Sequence, residues 1–338
     1  MSVEVSEERK KGWEVAEFPA DDTLASVLSR MLREKGLVKD EAVVVSREKA
    51  GRYSTYPNEV VTCRVDDGTE RRLLCKYAKG HCHSGFGHRR GLRYETLIYR
   101  DVLEPLQMST PRYYGCHADE AAGEHWLVME YLGGGRTVNK GPQPASICNT
   151  ARWIGEFNAR CAVTLSADMV PSFIQYDRDY YLGWGRRTLE FTASMHAQHP
   201  WLPDLCRHYE SVVDQFLTLP RTLIHGEYTV HNVVLHGEGI VSPIDWESAA
   251  YAFPEIDLAI ITDGTWTQEV QDMCVEQYRQ ARWATAADVP TDFAARLRLA
   301  QLYNHMRWLG NRPKDSVLPK NAFRFAKLQA VGEQLSLI

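Results

Sequence analysis

The chain has 338 residues, of which 44% are hydrophobic and 25% charged, and its formal net charge is −5. This composition is typical of a globular protein, and the length favours one large domain or two lobes. The negative charge provides no general attraction to nucleic acid or to an anionic membrane surface, so we predict neither as a partner. No apolar run approaches the ~20 residues that span a bilayer. The polar start MSVEVSEERKKGW lacks the apolar stretch of a secretory signal, so we expect a cytoplasmic protein.

A helix followed by a β-rich region is predicted in the first third of the chain. Apolar residues recur at helical spacing over residues 24–35, and Gly36 follows as a stop signal. The runs EVVTCRVDDG and RRLLCKYA, separated by turn-forming residues, predict an antiparallel meander. Another helical pattern begins near Tyr94, and two strand-like runs, PRYYGCH and HWLVMEYL, come after it.

Three glycines at 133–135 mark the change to a mostly helical second part. Helical periodicity recurs at 151–162, 205–217, 269–282 and 293–310. We therefore predict an α+β fold with two lobes, in which a hinge joins a β-rich lobe to a helical lobe. The N-terminal lobe is expected over residues 1–132, with 1–12 disordered, and the helical lobe over 133–338. The oligomeric state is not indicated.

Lys76 and Glu95 are the first candidates for a functional pair. Lys76 ends a strand-like run, and Glu95 lies on the helix that follows. A lysine drawn into a cleft between two lobes needs a carboxylate partner, because an unpaired buried ammonium is costly. The alternative, that both are unrelated surface charges, stays open on these two residues alone.

The segment LIHGEYTVHNVVLHGEGIVSPIDWE, residues 223–247, carries the most informative spacing. We predict two short strands joined by a loop. The first closes at Ile224, before the loop of Glu227, and resumes just after Asn232, and the second ends on Asp245, so the three side chains can converge at one end of a cleft. A carboxylate and an amide oxygen are ligands that Mg²⁺ prefers, completed by phosphate oxygens and water. The other carboxylate can take a proton from an attacking hydroxyl. With a lysine that neutralises triphosphate charge, these groups suit phosphoryl transfer.

The pattern H-G-x-x-x-x-x-N, followed by I-D-W-E and then D-L-A, resembles the aminoglycoside phosphotransferase and choline kinase superfamily, whose fold is similar to that of protein kinases. His225, Gly226 and Asn232 carry the first part. The order of β-rich lobe, lysine, glutamate, hinge and helical lobe also matches, over residues 40–310. The resemblance implies transfer of the γ-phosphate of ATP, with GTP as the alternative, to a hydroxyl of a small molecule. An aminoglycoside, another sugar-containing natural product or an amino alcohol is the implied acceptor.

The resemblance also implies the nucleotide contacts. The lysine would bind the α- and β-phosphates, the glutamate on the helix would position it, and the backbone after the last strand of the first lobe would hold the adenine. The stretch 47–61 lies where a glycine-rich loop covers the phosphates, yet it has one glycine, so hydroxyl side chains are expected to contribute. The expected nucleotide-binding residues are Lys76, Glu95, Ser54, Thr55, Glu130, Tyr131 and Leu132.

For the reaction itself, the resemblance implies that Asn232 and Asp245 bind Mg²⁺. His225 is expected to brace the catalytic loop, and Asp257 to hold the same loop by hydrogen bonds. Glu227 stands where the family has an aspartate as the catalytic residue. Its extra methylene moves the carboxylate by about one C–C bond, and a misplacement near 1 Å can cost on the order of 100-fold in rate.

Two explanations of this glutamate remain open. Glu227 is either a working base for an acceptor seated slightly further out, or the chain is a catalytically weak pseudokinase that binds nucleotide in a regulatory role. The first is favoured, because Lys76 and both magnesium ligands are present and phosphoryl transfer needs that charge-neutralising set.

Two further stretches stay ambiguous. The loop KGHCHSGFGHRRGLRYE, residues 79–95, contains His81, Cys82, His83 and His88, and it is a zinc ligand set, a phosphate or substrate contact, or a solvated loop. The H-C-H spacing is too tight for a usual structural zinc site. The aromatic stretches 175–187 and 302–310 suit an acceptor-binding wall, although the second also fits a core helix.

Overall fold

The computed structural model describes residues 18–50, 55–79, 85–140, 143–264, 266–313 and 317–338. They form two compact units. The first contains the described part of Met1–Ser84 together with Arg89–Gly135 and Ser242–Glu247. The second contains the described parts of Gly85–His88, Arg136–Val241 and Ser248–Ile338. The predicted disordered stretch 1–12 lies outside the described residues.

A five-stranded antiparallel sheet with strand order β1–β2–β3–β5–β4 forms the first unit. Its strands are β1 Val43–Lys49, β2 Asn58–Arg64, β3 Glu70–Lys79, β4 Tyr113–Asp119 and β5 Glu124–Glu130. The turn between β2 and β3 is closed by Asp67, whose carboxylate accepts hydrogen bonds from the backbone N–H and hydroxyl of Thr69. This register places Lys76 of β3 between Asn58 and Leu127.

Two helical segments complete the first unit, one before β1 in the chain and one between β3 and β4. Helix α1, Asp21–Glu34, buries one apolar stripe, which contains Leu24, Leu28 and Leu32, in a core shared with β2 and β3. Burial of each leucine contributes roughly 1.5–3 kcal/mol. Helix α2, Leu92–Ile98, continues through a π-helical turn into the short α3, Glu104–Leu106. Helix α2 carries Glu95, so the predicted helix after the meander is confirmed.

The second unit is mostly helical. Its helices are α4 Pro144–Thr164, α5 Arg178–Phe191, α6 Leu202–Thr218, α7 Glu255–Thr262, α8 Gln268–Arg282, α9 Phe293–Leu309 and α10 Ala322–Gln334. Two begin at side-chain caps: Asp177 accepts from the N–H of Tyr180, and Thr267 from that of Val270. None of the helices in the described ranges is both long and apolar enough to cross a lipid bilayer.

Two small sheets carry the loops of this unit. Their strands are β6 Arg136–Thr137, β7 Ile174–Gln175, β8 Thr222–Ile224, β9 Val233–His236, β10 Ile240–Pro243 and β11 Ala250–Ala252. The orders are β10–β9–β6 and β7–β11–β8. The structure has three short strands, β8, β9 and β10, where two joined by a loop were predicted within 223–247, because β8 and β9 belong to different sheets. The α+β fold class is confirmed.

Candidate active site

Lys76 and Glu95 form a buried ion pair in the first unit. Lys76 Nζ lies 2.8 Å from Glu95 Oε1 and 2.9 Å from Oε2. Lys76 is 7% exposed and Glu95 is fully buried. The backbone N–H of Trp246 donates a further hydrogen bond to Glu95 Oε1 at 3.4 Å. These residues are thus partners and not separate surface charges.

Asp245 joins the pair directly after strand β10. Its Oδ1 lies 3.6 Å from Lys76 Nζ, and its side chain is 36% exposed. Its backbone has φ of 70°, a left-handed conformation that aspartate adopts more readily than most residues. Burial lowers the pKa of Lys76, but the charges of Glu95 and Asp245 more than offset this, so the pKa is raised above its ordinary value. The lysine therefore stays cationic.

A further carboxylate, Glu247, lies two residues beyond Asp245. It pairs with Arg89, whose Nη1 is 2.8 Å from Glu247 Oε1. Burial, with the charge of Asp245 and against that of Arg89, raises the pKa of Glu247 to about 8. The exposed Thr55 donates to Glu247 Oε1 at 3.5 Å. Ser54, predicted beside it as a phosphate contact, lies outside the described residues.

The segment predicted to hold adenine follows strand β5. The N–H of Glu130 donates to the Arg112 carbonyl at 2.8 Å, and that of Tyr131 donates to the Arg72 carbonyl at 3.0 Å. These two N–H groups are therefore already used within the sheet. The prediction that this segment holds adenine therefore depends on other backbone groups, including those of Leu132.

Asp257 of α7 holds the loop that carries Glu227 by hydrogen bonds. Asp257 Oδ2 accepts from the N–H of His225 at 2.6 Å, and Oδ1 accepts from that of Gly226 at 3.0 Å. Burial raises the pKa of Asp257 to about 7, against the effect of these two hydrogen bonds. His225 Nδ1 accepts from the N–H of Glu227 at 3.3 Å. The predicted bracing contacts of His225 and Asp257 are thus present.

The carboxylate of Glu227 lies beside Arg307 and His88, and no sequence pattern connected either of them with it. Oε1 is 3.4 Å from Nη1 of Arg307 and 3.5 Å from Nε2 of His88. Arg307 is 1% exposed, and the Glu227 side chain is 14% exposed. The sequence contains one indication that Arg307 has a buried partner. It lies one turn after Tyr303 on the apolar face of a helix, where a cation needs an anionic partner.

Two buried tyrosines contact His88, and a third, Tyr303, contacts one of them. Its Nδ1 lies 2.9 Å from the hydroxyls of both Tyr176 and Tyr180. The Tyr180 hydroxyl is 2.8 Å from that of Tyr303, and the rings of Tyr176 and Tyr180 stack with centroids 3.9 Å apart. Burial raises the pKa of each tyrosine above its ordinary value, so the hydroxyls remain protonated.

The two stretches predicted as an acceptor-binding wall both belong to the second unit, and large side chains of each are buried. The first becomes α5, with Tyr180 and Trp184 buried. The second is part of α9, where Leu302, Met306 and Leu309 are buried in the core. Their shared location supports the core-helix interpretation of residues 302–310.

His305 on α9 gives a test of this core placement. Burial, aided by the charges of Arg324 and Lys327 and opposed by that of Asp263, lowers its pKa to about 4. The unfolded imidazole gains a proton near pH 6.5. Between these values the unfolded state binds more protons, so His305 contributes stability above pH 6.5 that is lost as the pH falls towards 4.

We expect His305 by itself to lower the free energy of unfolding by about 2 kcal/mol between pH 7.5 and pH 5, so His305→Gln should gain that much stability relative to wild type over the same range. Denaturant titrations of wild type and His305→Gln at both pH values measure this contribution. The exposed His231 provides the matched control, His231→Gln. Equal pH dependence in all three proteins contradicts the buried, neutral state of His305.

The predicted magnesium ligands offer suitable oxygen atoms. Asn232 Nδ2 donates to the carbonyl of Glu227 at 3.1 Å, which leaves its Oδ1 as the atom suited to a cation. Asp245 presents a partly exposed carboxylate. Hard oxygen donors of this kind fit Mg²⁺. The zinc interpretation rests on His81, Cys82 and His83, which lie outside the described residues.

Comparisons with known proteins agree with this arrangement. Residues 62–293 match the phosphotransferase enzyme family, APH. A search of curated protein sequences gives no significant match.

Solved structures show the fold. A choline kinase from Streptococcus pneumoniae has 13% identity and a TM-score of 0.58, over 93% of this chain and 99% of that chain. A microcompartment-associated aminopropanol kinase has 16% identity and a TM-score of 0.60, over 92% and 98%. A spectinomycin phosphotransferase in complex with ADP and spectinomycin has 10% identity and a TM-score of 0.53, over 93% and 99%. The predicted kinase-like fold is therefore confirmed. Because the family match spans most of the described sheet and helices, the chain belongs to the phosphotransferase enzyme family.

Proposed function

We propose that the enzyme transfers the γ-phosphoryl group of ATP to a hydroxyl of a small molecule. The observation that carries this proposal is the buried Lys76–Glu95 pair with Asp245 beside it. A permanently charged lysine held next to a partly exposed carboxylate suits a site for a metal-bound triphosphate. No contact of the described residues favours the pseudokinase alternative.

On the nucleotide side, Lys76 binds the α- and β-phosphates and Glu95 fixes the lysine. Asp245 and Asn232 would hold Mg²⁺, which when bound neutralises charge on the phosphate oxygens. Thr55 supplies a hydroxyl near the phosphates, and the segment 130–132 receives the adenine. This assigns the phosphate and adenine contacts to the N-terminal lobe, residues 1–132, as the sequence predicted, and the metal ligands to residues 133–338.

On the acceptor side, residues 133–338 supply Glu227 and its supporting loop. An acceptor oxygen forms a bond to the γ-phosphorus while the bond from this phosphorus to the β–γ bridging oxygen breaks. The acceptor proton passes to the Glu227 carboxylate, and ADP leaves. The names of the similar structures refer to choline, aminopropanol and spectinomycin. They support a screen of amino alcohols, aminoglycosides and other sugar-containing natural products.

Nucleotide binding is expected to depend on Mg²⁺, because Lys76 alone cannot balance the charge of a triphosphate and the Asp245 carboxylate adds a negative charge beside it. Thermal unfolding with ATP, with GTP and without nucleotide, each with and without Mg²⁺, measures the stabilisation by binding. Equal shifts with and without Mg²⁺, or no shift for either nucleotide, contradict the proposal.

Asp245→Asn is expected to remove the Mg²⁺-dependent part of the shift while the protein still folds, because an amide binds the cation more weakly than a carboxylate. Asp40→Asn, at an exposed position of the first unit, is the matched control and should bind like wild type. Normal Mg-ATP binding by the Asp245 variant would show that Asp245 is not a metal ligand. Acceptor-dependent ADP release across the screen then tests transfer itself.

A further inference from the structure

We infer that Arg307 and His88 are positioning residues that hold the Glu227 carboxylate, so that a glutamate works where the family pattern has an aspartate. The inference rests on the proposed function, since it assigns the residues that orient its base. It also explains why the extra methylene of Glu227 does not misplace the carboxylate.

The reach of the side chain decides between glutamate and aspartate. Glu227 Oε1 contacts Arg307 Nη1 at 3.4 Å, which is already near the limit of a hydrogen bond. An aspartate is shorter by one C–C bond, about 1.5 Å, and its carboxylate would fall out of range. The backbone cannot follow, because Asp257 holds the two preceding N–H groups and Asn232 holds the Glu227 carbonyl.

The ion pair with Glu227 also stabilises the guanidinium of Arg307. The guanidinium is buried, and a buried charge without a partner is strongly destabilising. Among the described residues, Glu227 is the carboxylate within ion-pair distance of it. Burial lowers the pKa of Arg307, but the charge of Glu227 offsets this and the pKa is raised above its ordinary value. The guanidinium is therefore a fixed cation that attracts one oxygen of the base.

The ring of His88 contacts the same oxygen atom of Glu227. The protonated hydroxyls of Tyr176 and Tyr180 can donate to Nδ1. A neutral imidazole that accepts at Nδ1 carries its proton on Nε2, the atom 3.5 Å from Glu227 Oε1. A single hydroxyl that donates to the one lone pair of Nδ1 is enough to place the proton on Nε2, facing the base.

A merely structural ion pair would affect stability but not the chemical step. The matched control is Arg324, another buried arginine, which pairs with Asp263 at 2.6 Å and has no assigned part in the reaction. Both arginines are replaced by methionine, which preserves length and removes charge. Positioning by Arg307 predicts a selective loss of kcat, whereas a structural role predicts similar behaviour of the two variants.

The experiment measures acceptor-dependent ADP release under Mg-ATP saturation. We expect Arg307→Met to lower kcat by on the order of 100-fold with little change in the KM for ATP, and Arg307→Lys to retain more activity. Arg324→Met should keep kcat near wild type. His88→Gln should lower kcat less than Arg307→Met. Equal kcat values in Arg307→Met and Arg324→Met overturn the inference.

A second arm keeps the inference testable if Arg307→Met folds poorly. Glu227→Asp retains a base but loses its reach, so its kcat should also fall, and a Glu227→Asp variant that is faster than wild type overturns the inference. A cycle of melting temperatures with Glu227→Gln, Arg307→Lys and the double variant tests the pair without activity, because partners give non-additive shifts. Additive shifts refute the contact. A wild type that binds Mg-ATP but releases no ADP with any acceptor counts against the proposed function, while the cycle still tests the pair.

Discussion

Glu227→Gln is expected to lose most phosphoryl transfer while it still binds Mg-ATP. The amide has nearly the size of the carboxylate but cannot accept the acceptor proton, and removal of a general base typically costs on the order of 100- to 10,000-fold. Nucleotide contacts are assigned to Lys76, Glu95 and Asp245, which this change does not touch. The KM for ATP should therefore stay close to wild type while kcat falls.

Glu227→Gln is also expected to lower the free energy of unfolding. It removes the negative charge from beside the buried Arg307, and breaking a buried pair costs roughly 3–5 kcal/mol. Thermal unfolding must therefore show that the variant is folded at the assay temperature. The exposed Glu238 of the same unit gives the control Glu238→Gln, which should behave like wild type. Wild-type turnover by Glu227→Gln would show that the carboxylate at 227 is not the base.

The sequence predicted the parts of the site that depend on local order. Strands β8, β9 and β10 follow from short apolar runs, and the turn residues between them locate the loop of Glu227. The Lys76–Glu95 contact, left open by these two residues alone, was implied by the family resemblance and is present in the structure. The family and the kinase-like fold, inferred from the H-G, I-D-W-E and D-L-A patterns, are confirmed.

The contacts of the Glu227 side chain were not predictable in the same way. His88, Tyr180 and Arg307 come from a loop and two helices that are distant in sequence, and no spacing rule connects them. Helix α5 itself was missed, because Gly183 and Gly185 weaken its helical pattern and the aromatic residues invited a surface interpretation. Tertiary packing, and not local propensity, buries these aromatic side chains around His88.

The Gly226 backbone shows why the loop tolerates so little change. Its φ is +79°, a conformation that residues with a Cβ rarely adopt. Its N–H is held by Asp257 at 3.0 Å. A Cβ added at this position would lie 2.2 Å from the carbonyl oxygen of Ser248 and 3.1 Å from the Tyr176 hydroxyl. The first contact is with backbone, so no rotation of a side chain can relieve it.

Gly226→Ala is therefore expected to lower the free energy of unfolding by more than about 3 kcal/mol, since backbone strain of about 1–2 kcal/mol is joined by a clash. Gly239→Ala is the matched control. Gly239 has φ of +88°, and a Cβ there would meet nothing within 4 Å, so it experiences the strain without the clash. Denaturant titration of both variants measures the difference. If they lose equal stability, the Ser248 contact does not constrain the loop. If Gly226→Ala is the less stable, kcat should also fall in the folded fraction, because Glu227 is the next residue and moves with the displaced backbone.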